Sequence, residues 1–175
     1  KETTDKFPKK TKVFELVCND KDLIINQKTL LLLAVDKSGS MAGGPMNQVN
    51  MSLTGIFARL KNNKSVIPYI LAYDNSCTHY QQLVTLNGSG GTSFSNVFDE
   101  IINVCSVNTF KVENIVTIFM TDGQDGNAIS QAPLLQKFKN KLNDVWISQK
   151  KKITIHTVGF GSAHDAQFLD NIRKL

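Results

Sequence analysis

Apolar residues in this chain follow two alternating patterns, short unbroken runs and longer stretches where they recur every three or four positions. Residues 29–36 read Thr-Leu-Leu-Leu-Leu-Ala-Val-Asp, and a continuous run of this kind suits a strand buried on both faces of a parallel sheet. Across 46–60, Val49, Leu53, Ile56, Phe57 and Leu60 keep the spacing of one buried helical face. Residues 66–73 predict a second strand, with Pro68 tolerated near its start, and 77–86 an antiparallel extension of it. The flexible Asn87-Gly-Ser-Gly-Gly91 loop ends at Thr92-Ser93, good helix-capping residues. The helix that follows carries Phe94, Val97, Phe98, Ile101, Ile102 and Cys105 on one face. A buried-type strand over 115–121 ends at Asp122-Gly123. Pro133 then stands near the first turn of a helix lined by Leu135, Phe138, Leu142 and Val145. A strand over 153–158, a turn over 159–161 and a last helix over 165–175 complete the pattern. Ahead of it, residues 1–10 read as a flexible lead-in, and 12–18 and 23–25 as β-prone stretches about a hairpin turn at Asn19-Asp20-Lys21-Asp22.

Strands that alternate with helices of this length predict an α/β fold: a doubly wound, mostly parallel central sheet with helices on both faces. The division that follows is a lead-in with an extra N-terminal β hairpin over 1–28 and the α/β domain over 29–175. Right-handed crossovers put the carboxyl ends of the parallel strands on one rim, and such sheets carry their sites just beyond those ends. On that rim fall Asp36, Ser38 and Ser40, then Thr92 at a helix start, then Asp122.

Composition changes this picture little. The 175 residues suit one domain with a real core, and 41% hydrophobic with 20% charged residues is ordinary for a globular protein. No apolar run approaches the roughly 20 residues that span a bilayer, and the lysine-rich start does not read as a signal peptide. Three cysteines, Cys18, Cys77 and Cys105, show no ligand spacing, which points to free thiols and a cytoplasmic setting. The net charge of +5 is densest at Lys9-Lys10-Thr11-Lys12 and Lys150-Lys151-Lys152. Without interleaved aromatics these runs read as solvated surface rather than a nucleic-acid patch.

The chemistry lies in three short pieces. Asp36-Lys-Ser38-Gly-Ser40 offers one carboxylate and two hydroxyls, hard ligands of the kind Mg²⁺ and related cations take. With Gly91-Thr92 and Thr121-Asp122-Gly123 added, the three pieces resemble, in order and in separation, the metal-ion-dependent adhesion site of von Willebrand factor A domains. Val158-Gly-Phe-Gly161 also resembles that family, and the likeness covers about 29–175. It implies the family's Rossmann-like three-layer sandwich, without enzymatic activity. Ser38, Ser40 and Thr92 would supply neutral oxygens, and Asp36 and Asp122 the carboxylates acting partly through water. The ion would be Mg²⁺, or Mn²⁺ or Ca²⁺. Left with residual positive charge and an exchangeable position, it would capture an Asp or Glu side chain of a partner protein, as a module of a larger protein or complex. A full domain of this family adds a sixth strand and a final helix beyond the segment ending at Leu175. Their absence from the sequence implies a fragment, or a domain completed by a partner chain or by the N-terminal hairpin.

Plainer readings stand beside these. Ser38, Ser40 and Thr92 could each simply cap a helix. Asp125 reads as a loop carboxylate, His156 as a core or crossover histidine, Trp146 and the phenylalanines as core, and Lys37 as pointing away from the ion. Two other functions compete with this one. One is a nucleic-acid-associated scaffold, whose affinity would fall steeply with salt and ignore metal. The other is a Mg²⁺-dependent phosphoryl-transfer or hydrolytic enzyme. Against it, no second aspartate stands two residues past Asp36, the Gly-Ser-Gly-Gly loop lacks a following Lys-Ser/Thr, and no nucleophile–base pair assembles from the few histidines.

Overall fold

The computed structural model describes residues 28–107, 110–123, 131–161 and 164–175. The hairpin expected before residue 28 and Asp125 lie outside these residues. The elements are β1 (Thr29–Asp36), a 3₁₀ turn (Gly39–Met41), α1 (Gly44–Leu60), β2 (Val66–Tyr73), β3 (Cys77–Tyr80), α2 (Phe94–Ser106), β4 (Asn114–Thr121), α3 (Gln131–Gln149), β5 (Lys152–Gly159) and α4 (Ala166–Arg173). They form one five-stranded sheet in the order β3-β2-β1-β4-β5. All neighbours are parallel except β2 with β3. This is the mostly parallel α/β architecture that the alternation of runs and helical stripes predicts.

β1 lies at the centre, and its unbroken apolar run is explained by having no exposed face. Leu30, Leu32 and Ala34 enter one buried cluster with the inner faces of α2, α3 and α4. Leu33 and Val35 enter a second, beneath Met46, Val49 and Leu53 of α1. The two clusters are unequal, since three helices cover the first and one covers the second. Aromatic packing dominates the first: Phe98 stacks on Phe138 at 4.3 Å between centroids, and Phe94 on Phe168 at 5.3 Å.

From β1 the chain crosses to β2 on one side, and from β2–β3 it returns past β1 to β4 on the other. The strand order therefore reverses between β1 and β4, and in open sheets the crevice at such a point is where ligands bind. Asp36 pairs with Tyr73, and Val35 with Met120, so Asp36 and Asp122 arrive at the same crevice.

Four expectations need correction. Lys151, in a run expected to be solvated surface, is only 5% exposed, its ammonium donating to the Cys105 carbonyl at 2.9 Å and the Val107 carbonyl at 3.2 Å. The antiparallel extension stops at Tyr80 instead of reaching residue 86, because Leu86 is drawn onto α1. Its N–H donates to Asn50 Oδ1 and its carbonyl accepts from Asn50 Nδ2, both at 2.9 Å. Trp146 is not core but 59% exposed; α3 buries Leu134, Leu135, Phe138, Leu142 and Val145, and the residue after Val145 turns away from that stripe. His156 is also exposed. It sits on the edge strand β5 opposite half-buried Ile118, which packs against the α1 cluster, so it lies on the α1 face of the sheet at the outer edge.

Candidate functional site

The site begins where β1 ends. Asp36 is fully buried, and its carboxylate accepts from the Ser38 N–H at 2.8 Å and from the Thr121 hydroxyl at 2.6 Å. The first bond folds the chain back over two residues, the local turn that aspartate favours. The second ties the ends of β1 and β4 together. Ser38 Oγ lies 3.1 Å from Ser40 Oγ, and the Ser40 hydroxyl donates to Asp122 Oδ1 at 2.9 Å. Four of the five residues expected from the sequence thus form one continuous polar line across the crevice.

Thr92, the fifth, arrives on the segment between β3 and α2. That segment carries no helix or strand from residue 81 to 93 and is held by hydrogen bonds to the β1–α1 loop. The Ser89 N–H donates to the Lys37 carbonyl at 2.7 Å, and the Gly39 N–H to the Gly90 carbonyl at 2.9 Å. Contact is close enough that a Cβ on Gly88 would come within 2.6 Å of the Ala42 backbone nitrogen. Gly90 takes φ +77°, the left-handed conformation that glycine reaches without steric cost. Thr92 is only 9% exposed beside this contact.

Helix capping does not explain these hydroxyls. Ser93, not Thr92, caps α2, accepting from the Asn96 N–H at 3.4 Å. Ser38 precedes the 3₁₀ turn without a side-chain cap bond, and Gly43 occupies the cap position of α1. The sequence reading did not anticipate the roles of Thr121, Lys37 and Asp74. Thr121 locks the Asp36 carboxylate, and its one signal was its place just before the Asp122-Gly123 pair. Lys37 forms an ion pair with Asp74 at the end of β2, and no sequence spacing marks that partner.

Electrostatics separate the two acids that this rim buries. Burial pushes the Asp36 carboxyl above the ordinary carboxylate value. Hydrogen bonds from Thr121 and Ser38 offset part of the rise, and the Asp122 charge adds to it. At Asp74 burial works in the same direction, but hydrogen bonds from Lys37 and Ser76 outweigh it and hold the carboxyl below its usual range. The side chains joined along this line are all oxygen donors, the hydroxyls of Ser38 and Ser40 and the carboxylates of Asp36 and Asp122. Among the described residues no three His, Cys, Asp or Glu side chains gather as a metal cage, so any ion held here would depend on the hydroxyls. That donor chemistry fits a hard divalent cation.

No family model matches the sequence, and no curated protein matches it. Solved structures do match in fold. A von Willebrand factor type A protein from Catenulispora acidiphila superposes with a TM-score of 0.59 at 15% identity, over 84% of this chain and 36% of that one. A paralogue of ArnB from Sulfolobus acidocaldarius gives 0.58 at 11% identity, over 84% and 39%. Proximal thread matrix protein 1 from the mussel byssus, described with a zinc-occupied metal-ion-dependent adhesion motif, gives 0.57 at 16% identity, over 84% and 39%. This chain therefore has the von Willebrand factor A fold, and it spans well under half the length of each of these three structures. Among the described residues no helix is long and apolar enough to cross a membrane.

Proposed function

We propose that this chain is a non-enzymatic protein-binding module that holds a divalent cation and uses it to capture an Asp or Glu side chain of a partner. Ser38, Ser40 and Thr92 supply neutral oxygens, and Asp36 and Asp122 supply the negative charge. The observation that carries this reading is the polar line Ser38–Ser40–Asp122 beside a buried Asp36 carboxylate. A buried carboxylate with no cation of its own is costly, and a divalent ion relieves that cost while retaining positive charge for a partner's carboxylate. Mg²⁺ is the expected ion, with Mn²⁺ and Ca²⁺ compatible with the same oxygens. The zinc-occupied motif of the mussel protein supports a cation at this place in the fold. Cys77 and Cys105 are unbonded, which favours a reducing compartment such as the cytoplasm.

Calorimetric titration with Mn²⁺ tests the ion. The wild type should bind one equivalent, and Asp36→Ala should lose at least about tenfold in affinity, the scale on which a shaped metal site depends on its carboxylates. Equal binding by both proteins sinks the proposal. Once a partner is in hand, chelation should release it, whereas a nucleic-acid scaffold would respond to salt and not to chelator.

A further inference from the structure

The residue between Asp36 and Ser38 is bound on three sides. The Lys37 N–H donates to the Tyr73 carbonyl at 2.7 Å, its carbonyl accepts from the Ser89 N–H at 2.7 Å, and its ammonium pairs with the Asp74 carboxylate. Asp74 is engaged as fully. Its carbonyl accepts from the Ser93 N–H at 3.0 Å, and its Oδ1 accepts from the Ser76 N–H at 2.7 Å and the Ser76 hydroxyl at 3.0 Å. The two side chains are 17% and 14% exposed. Ser89 and Ser93 lie on either side of Thr92's stretch of chain. Lys37 and Asp74 therefore grip, from the ends of β1 and β2, the segment that presents Thr92.

We propose that Lys37 and Asp74 are positioning residues that clamp the Thr92 segment against the Ser38–Ser40 loop and so set the affinity of the site for its ion. The proposal rests on the metal-binding reading above. Residues 81–93 have no helix or strand to place them, and ordering such a segment costs conformational entropy at every residue. Its position then depends on the few bonds that reach it, and Lys37 or Asp74 supplies the acceptor for two of them. An ion pair this well shielded is worth more than one on open surface. Removing only one partner would leave an unpaired charge near the ion and confuse the result, so both must be neutralised together.

The test compares Lys37→Met/Asp74→Asn with a control, Lys141→Met/Asp99→Asn, in the full chain. The control removes the 2.7 Å Lys141–Asp99 pair between α3 and α2, away from the rim, and with it the 3.2 Å pair that exposed Lys137 makes with the same carboxylate, and leaves the net charge equally unchanged. Mn²⁺ affinity should fall about tenfold in the first variant, the usual effect of removing groups that orient metal ligands, and stay within about twofold of wild type in the control. In metal-free protein, amide exchange at Ser89 and Ser93 should accelerate at least about tenfold in the first variant alone. Unchanged Mn²⁺ affinity in the clamp variant, with wild type binding and Asp36→Ala not, overturns the proposal. Should Asp36→Ala bind Mn²⁺ as well as wild type, the metal reading fails, and unchanged exchange at Ser89 and Ser93 then overturns the clamp on its own.

Discussion

At the scale of residues, two carboxylates on one rim are shifted in opposite directions, Asp36 above its ordinary value and Asp74 below it. Asp36 has its folded pKa raised by burial, so its contribution to stability is present below the unfolded value of about 3.9 and is lost as pH rises through the folded pKa. In chelator, Asp36→Asn should therefore gain stability relative to wild type between pH 4 and 7, measured by urea unfolding at each pH. A flat difference would mean that Asp36 is not desolvated. Asp74 has its folded pKa lowered against burial by Lys37 and Ser76. Its contribution is present above about 3.9 and disappears as pH falls through the lower folded value. Asp74→Asn should thus cost stability at pH 7 and cost progressively less below pH 4. Asp36, Ser38, Ser40, Thr92 and Asp122 could be singled out through the likeness to the von Willebrand factor A motif because the residues of each of its three pieces are local. It could not reveal Asp74, because Lys37 and Asp74 meet only when β1 and β2 lie side by side, 37 residues apart.

At the scale of elements, the strands were the most legible part of the chain. β1 and β2 keep the predicted limits, since both end at polar turns that follow apolar runs. The third strand was expected to run longer because the β-prone Leu83-Val-Thr-Leu86 continues the run, whereas Asn50 takes both backbone groups of Leu86. α3 ends at Gln149 and is followed by Lys150, which takes φ 54° with its N–H bonded to the Trp146 carbonyl at 2.8 Å. That left-handed position after a helix is where glycine is favoured. Lys150→Gly should stabilise the fold by about 1 kcal/mol, the usual steric cost of a side chain there, seen as a higher urea midpoint. In the larger cluster, Phe98→Ala should cost about 3–5 kcal/mol, since its ring stacks on Phe138 and meets Phe94, Phe119 and Phe168.

At the scale of the molecule, α/β class and rim were legible because both follow from the order of elements. The inequality of the two sheet faces was not. Periodicity marks a helix as amphipathic without saying which face of the sheet it covers, so His156 and Val158 could be read as interior while the structure leaves them exposed. His156 and Val158 lie exposed on β5, whose outer edge pairs with no other strand among the described residues. Native-state hydrogen exchange should find the inner β5 amides opening at lower free energy than those of β1, which has a strand on each side and a buried cluster above and below. Equal protection in the two strands would contradict this.

That lopsided cover gives the rim a stiff half and a soft half. Thr121 pairs with Gly159 and accepts at its carbonyl from the Phe160 N–H at 2.9 Å, so fraying of the outer strand travels first to the Asp122 end of the polar line. Asp36, at the tip of the most enclosed strand, is the last to feel it. Damage far out on the fifth strand would therefore loosen the site from one end, shifting Asp122 while the turn at Ser38 keeps its shape.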